Sequence, residues 1–216
     1  IAQEEIAALG VSVFAGPLDV CSVKSVQTFF ADAVAALNRI DILVNAAGTW
    51  ARQEITGHPD ELWDRMIDTN LNGPYRTIKR CMPDMIERGW GRIVTITSTS
   101  ATVGAAGDSA YSAAKAGAQA LTRCVAVEGA PHGITCNTIS PTWVNTPLAR
   151  RSVENQIAEK ALDLSVEGFR TPILAGIPQG RLVEPEEIAA LIAFLCREEA
   201  LGLTMEDIKV SAGAVN

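Results

Sequence analysis

Short apolar runs and long helix-patterned stretches take turns along this chain, and that alternation constrains the fold more than any other feature. Ile42, Leu43 and Val44 are apolar at three successive positions. A half-exposed strand would alternate with polar residues, whereas a parallel strand covered on both faces need not. Strands are expected at 11–14, 42–44, 93–97, 134–139 and 208–211. Between them, 22–37 puts Val23, Val26, Phe29, Phe30, Val34 and Leu37 on one stripe of a helix. A long helix is expected over 60–87, with Gly73-Pro74 as a bend and Pro83 as a second kink or stop. Further helices are expected at 1–9 (stopped by Gly10), 109–129, 147–170 and from Glu184 to Cys196, the last with acids at its N-terminus. Strand and helix in turn imply an α/β fold with a parallel sheet.

The chemistry gathers around Tyr111 and Lys115 in Tyr-Ser-Ala-Ala-Lys. Residues four apart share a helix face. A free tyrosine has a pKa of about 10, and a neighbouring cation favours its phenolate, moving it toward acid–base work near neutral pH. Ser98 follows the apolar run 93–97 and offers a hydroxyl to a substrate oxygen; Ser100 in the same hydroxyl-rich turn is its rival. Asn70 sits in the middle of a helical pattern, where its propensity is poor. It either serves the site or braces the helix bend.

These residues resemble the short-chain dehydrogenase/reductase family. The resemblance takes in Asp19-Val20, Asn45-Ala46-Ala47-Gly48, Asn70-Leu71-Asn72-Gly73, Gly91-Arg92-Ile93-Val94, Ser98, Tyr111 to Lys115, Gly133 to Pro141, and Gly180-Arg181-Leu182. It implies a Rossmann-type doubly wound parallel sheet, as one domain over 1–216. It also implies an NAD- or NADP-dependent oxidoreductase that passes a hydride between the cofactor and a secondary alcohol or ketone. Tyr111 would be the general acid/base. Lys115 would be its electrostatic partner and a ribose ligand. Ser98 would polarise the substrate oxygen, and Asn70 would hold a relay water. Asp19 and Val20 would meet the adenine, although an Asp after a strand is equally a cap for the next helix. Asn45, Ala46 and Gly48 would border the adenosine ribose, with a plain structural turn as the rival reading. Pro141, Val144 and Thr146 would flank the nicotinamide; Thr142 stands where the family usually has glycine. Trp50 and Trp143 are candidate substrate walls, with Val103 and Leu148 beside them; both tryptophans could simply be core, but the place of Trp143 next to the nicotinamide loop favours a wall. Residues 147–180 would form a substrate lid.

The family's opening glycine-rich turn has no counterpart here. The sequence starts at Ile1 in what reads as a helix tail. On the family's strand order, the absent strands would leave 11–14 stranded and 42–44 as an apolar sheet edge. A chain starting at Ile1 is therefore expected to bind dinucleotide weakly, and a cofactor-less fragment or scaffold is the alternative of another class. A β-ketoacyl or β-hydroxy acid substrate is the alternative within the enzyme class.

Composition removes other functions. A net charge of −7 speaks against nucleic acid as partner. No apolar run reaches the roughly 18 residues of a membrane span. Two histidines and five scattered cysteines without a Cys-x-x-Cys pair argue against a metal site and for free thiols in the cytoplasm. The family commonly assembles through its two long central helices, so a homodimer or homotetramer is expected. NAD and NADP remain equally open.

Overall fold

The structure, a computed structural model, describes residues 2–159 and 163–214. Four strands form one sheet in chain order: β1 (Ile42–Asn45), β2 (Gly91–Ile96), β3 (Ile134–Pro141) and β4 (Asp207–Val210). All three pairings are parallel, with Leu43 opposite Ile93, Ile93 opposite Cys136, and Ile139 opposite Ile208. Among the described residues the helices are α1 (Ala2–Ala7), α2 (Val23–Leu37), α3 (Asp60–Ile67), α4 (Gly73–Arg88), α5 (Ser109–Gly129), α6 (Pro147–Glu159), α7 (Val166–Ala175) and α8 (Pro185–Leu195).

Helices cover both faces of the sheet, which explains its unalternating strands. On one face α2, α4 and α5 bring Val26, Phe30, Ile78, Met82, Met85 and Val125 against Leu43, Ile93, Ile134 and Cys136. On the other, Ile188 and Leu195 of α8 pack with Val94 and Ile139. Ile93 and Val94 point to opposite faces, and both are buried. Each such side chain contributes about 1.5–3 kcal/mol by leaving water. Ser22 caps α2 through a hydrogen bond from the Ser25 amide, and a capping box between Glu184 and Glu187 opens α8.

Residues 11–14 do not form the strand expected of them. They run beside α2, with the Phe14 ring tilted against Phe29 at 5.5 Å, and none of the described strand pairings includes them. β1 is the edge of the described sheet, with Ile42 and Val44 exposed, as the pattern of the chain suggests.

The helix expected over 60–87 is also not continuous. A π-helical turn, Asp68–Asn72, separates α3 from α4. Two chemical reasons lie in the sequence. The side-chain amide of Asn70 donates to the carbonyl of Met66 at 3.0 Å, a group that a regular helix would offer to the backbone N–H of residue 70. Pro74 in turn lacks the N–H that would bond the carbonyl of Asn70. Pro83, by contrast, is carried inside α4, which runs on to Arg88 and closes on Gly89 in the left-handed conformation.

Candidate active site

The C-terminal ends of β1, β2 and β3 open onto one region, where α/β sheets bind ligands. From the end of β2 the chain enters Ser98, whose Oγ accepts from the Ser100 amide at 3.1 Å and caps a short turn. Ser98 is buried, and its hydroxyl lies near enough to Tyr111 to favour the ionised phenol. Ser100 supplies its backbone amide to that cap. Tyr111 and Lys115 lie in the first turns of α5. The Lys115 ammonium stands 5.6 Å from the centre of the Tyr111 ring and donates to the carbonyl of Ile96 at 2.8 Å.

Asn70 reaches the same place from the π-helical turn. It is fully buried, donates to the Thr49 carbonyl at 2.9 Å, and accepts from the Thr49 amide at 3.2 Å. Two close approaches bring these pieces together. A Cβ on Gly117 of α5 would stand 2.9 Å from Leu71, so α5 can lie against the π-helical turn. A Cβ on Gly48 would stand 3.1 Å from Asn70 Oδ1 and 3.7 Å from Lys115 Nζ. The loop after β1 thus passes directly over both groups.

The electrostatics correct one expectation. Lys115 does not pull Tyr111 down. Burial pushes the phenol up to about 12; the nearby Ser98 hydroxyl opposes this, and the negative charge of Asp108 adds to it. Burial also brings Lys115 down to about 8. Tyr111 therefore holds its proton at neutral pH, and Lys115 remains mostly charged.

The other expected residues divide. The side chain of Asn45 is engaged in structure, donating to Thr95 Oγ1 at 3.2 Å and accepting from Thr77 at 2.7 Å; Ala46 beyond it is exposed. Asp19 is exposed, and its carboxylate accepts from the Cys21 amide at 2.9 Å in a tight turn before α2. Val20 packs where a Gly73 side chain would be, and its carbonyl accepts from Arg76 at 2.9 Å. Pro141 ends β3. Thr142 is accommodated without glycine, since its amide donates to the Val210 carbonyl at 3.1 Å and lengthens the β3–β4 ladder. Val144 bridges Val183. The Thr146 hydroxyl accepts from the Ala149 amide at 3.1 Å, so it caps α6. Trp50 and Trp143 meet edge to face at 5.6 Å. Val103 is half-exposed, and the side chain of Leu148 and residues 160–162 of the expected lid lie outside the described residues. Trp143, Val144 and Thr146 line a cleft of about 390 Å³ against α6 and α7, with Arg150 and Arg170 on its rim.

Asp108 escaped the sequence reading. An Asp just before a helix reads as a routine cap, yet its side chain caps nothing. It accepts instead from Trp50 and Arg52, more than fifty residues earlier. The one sequence signal was a carboxylate placed one turn ahead of Tyr111.

The donor set fits a nicotinamide dinucleotide. Among the described residues the Lys115 ammonium makes one hydrogen bond, which leaves donors for ribose hydroxyls. The space that a Gly48 side chain would fill lies immediately beside it.

The family model described as enoyl-(acyl carrier protein) reductase matches residues 1–215. A putative ketoacyl reductase of the monensin polyketide synthase from Streptomyces virginiae is 38% identical over 201 residues, covering 92% of this chain and 76% of that protein. A D-beta-hydroxybutyrate dehydrogenase from Cupriavidus necator is 35% identical, covering 92% and 78%. The crystal structure of an actinorhodin polyketide ketoreductase with NADPH, a phenylalanine-to-tryptophan variant, superposes with a TM-score of 0.92 at 35% identity, covering 99% of this chain and 82% of that one. With this fold, this site and these relatives, the chain belongs to the short-chain dehydrogenase/reductase family, NAD(P)-dependent oxidoreductases that interconvert alcohols and ketones.

Proposed function

We propose that the enzyme reduces a ketone that is uncharged near its carbonyl, with Tyr111 as the proton donor. The observation that carries this is the buried Lys115 ammonium, 5.6 Å from the centre of the Tyr111 ring and anchored 2.8 Å from the Ile96 carbonyl, two residues before the buried Ser98. A bound NAD(H) or NADP(H) supplies or accepts the hydride. Ser98 donates to the substrate oxygen and orients it. Tyr111, neutral at physiological pH, gives that oxygen its proton as negative charge builds there. Lys115 stabilises the phenolate left behind and holds ribose hydroxyls with its spare donors. Asn70 holds a water with its backbone carbonyl, whose regular i+4 donor is missing at Pro74, and this water returns a proton toward Lys115. Ala46, Gly48 and the backbone of Asn45 border the adenosine ribose, Asp19 and Val20 the adenine, and Pro141, Val144 and Thr146 the nicotinamide. Residues 147–180 act as the substrate lid.

The indoles of Trp50 and Trp143 favour a cyclic, aromatic or medium aliphatic body on the substrate. A β-ketoacyl thioester is the second reading. The ketoacyl reductase relatives support it, as do Arg150 and Arg170 at the cleft, where a remote phosphate could be met. We place the enzyme in the cytoplasm, where its free thiols remain reduced. We further infer a homodimer or homotetramer built on α4 and α5. The outward positions Ala113, Ala116, Ala120 and Val127 of α5 are small or apolar. The test is oxidation of NADH and of NADPH by a cyclic ketone, an acetoacetyl thioester and acetoacetate. Turnover is expected with a neutral ketone or the thioester and at least about tenfold less with acetoacetate. Preference for acetoacetate would contradict the reading.

A further inference from the structure

Asp108 is buried, yet it is not spent on the helix that it precedes. Its Oδ1 receives two donors, Trp50 Nε1 at 3.2 Å and Arg52 Nε at 3.2 Å. The backbone fastens the same two segments, with the Gln53 amide donating to the Gly107 carbonyl at 2.9 Å. A Cβ on Gly107 would meet Arg52 and Gln53 at ordinary contact distance, and its φ of +83° is one that glycine adopts freely. Behind Asp108, the Ser112 amide donates to its carbonyl at 2.7 Å, so the segment is continuous with the start of α5 that carries Tyr111. In front of it, Trp50 stands edge-on against Trp143, and Trp143 lines the cleft under α6 and α7. One carboxylate therefore ties the loop after β1 to the head of α5 and, through two indoles, to the loop after β3.

We propose that Asp108 is a positioning residue that sets substrate specificity: it holds Trp50 against Trp143 as an apolar wall and neutralises Arg52, so that the site takes neutral ketones and disfavours those bearing a carboxylate next to the carbonyl. This rests on the ketone-reductase reading above. The physical argument is one of charge and shape. A free Arg52 would offer a planar pair of donors to a carboxylate. Paired with Asp108, it offers none at its Nε, and the Asp108 charge repels an incoming anion. The indole N–H of Trp50, bonded to Asp108, is not available to the substrate, so only the apolar faces of the ring are presented.

Two variants separate these roles. Asp108→Asn keeps an acceptor for Trp50 but no longer neutralises Arg52. Asp108→Ala removes both. Two indoles in contact give an exciton couplet in far-UV circular dichroism, which reports the Trp50–Trp143 geometry without any turnover; Trp143→Phe identifies the signal by abolishing it. In Asp108→Ala the couplet is expected to be lost, and KM for a cyclic or aromatic ketone to rise about tenfold with kcat changed less than about threefold. In Asp108→Asn the couplet is expected to remain. The ratio of kcat/KM for a β-keto acid to that for its methyl ester should then rise about tenfold. A wild-type couplet in Asp108→Ala, or an unchanged acid-to-ester ratio in Asp108→Asn, would overturn the proposal. So would a fall in kcat with KM unchanged, which is the mark of a merely structural role. Should Asp108→Ala not fold, the acid-to-ester ratio in Asp108→Asn decides. Failure of the wild type to reduce any ketone would instead strike the functional reading, leaving the couplet to judge the wall.

Discussion

The ammonium of Lys115 is anchored 2.8 Å from the carbonyl of Ile96, two residues before Ser98 on the same strand end. One hydrogen bond thus fixes the lysine of α5 to the strand that delivers the serine. The lysine is 5 % exposed, and burial lowers its pKa from 10.5 to about 8. Between those values the unfolded chain binds more protons than the folded one, so the contribution of this group to stability rises with pH. Below about pH 8 the cost of burying the charge is fully present; it is relieved as the pH climbs toward 10.5. Lys115→Met is therefore expected to be more stable than the wild type near neutral pH, with the difference shrinking above pH 8. The buried thiols of Cys81 and Cys136, pushed up to about 12, act with opposite sign at high pH but do so equally in both proteins. Urea unfolding of the pair across this range is the check, and a difference that grows with pH would contradict the account.

Gly48 is the tightest spot between loop and catalytic groups. Its φ lies outside the left-handed range, so alanine fits the backbone, but the new methyl would stand 3.1 Å from Asn70 Oδ1 and 3.7 Å from Lys115 Nζ. Gly48→Ala is expected to raise KM for the dinucleotide about tenfold while changing stability by less than about 1 kcal/mol. Cofactor titration and thermal unfolding of the same preparation distinguish the two effects.

The Asn70 side chain makes three hydrogen bonds to backbone groups in a buried place, two to Thr49 and one to the Met66 carbonyl. Truncation to alanine strands these backbone groups, at a cost of about 1–3 kcal/mol. The π-helical turn also loses the side chain that competes for the Met66 carbonyl. Asn70→Ala should lower the urea midpoint and reduce kcat about tenfold or more. Wild-type kcat in a folded Asn70→Ala protein would remove Asn70 from the relay.

Much of this was legible from residue patterns, because the signals were local. The helix over 109–129 has the bounds its composition suggested, and the sheet follows the apolar runs at 42, 93, 134 and 208. What stayed hidden was decided by partners distant in the chain. Residues 11–14 have a strand's composition but form none, as their stranding on the family's strand order led one to expect. The pattern over 60–87 marked a bend at Gly73-Pro74 and an ill-placed Asn70, but not which carbonyl the Asn70 side chain would take from its own helix. A lysine one turn away suggested a lowered phenol pKa, but burial dominates, and burial is a property of the whole fold. Nothing near Asp108 in the sequence pointed to Trp50 and Arg52, its partners from the loop after β1.

The outer face of α5 carries the assembly prediction. Ala120 and Val127 are exposed on it, with Ala113 and Cys124 between and beside them. Ala120→Arg would place a charge where a second copy is expected to pack, and is predicted to reduce the oligomer to a smaller species without changing secondary structure. Light scattering with circular dichroism reads both, and an unchanged mass would move the interface elsewhere.

The central claim is that Tyr111 gives the proton. Tyr111→Phe in the intact protein removes one oxygen from a half-buried residue and leaves Lys115, Ser98 and the Gly48 loop in place. Single-turnover ketone reduction, paired with dinucleotide titration, is the direct measurement. The account predicts a loss of kcat of about a thousandfold with cofactor affinity within about threefold of wild type; retention of more than about a tenth of wild-type kcat by a folded, cofactor-binding Tyr111→Phe protein would contradict it.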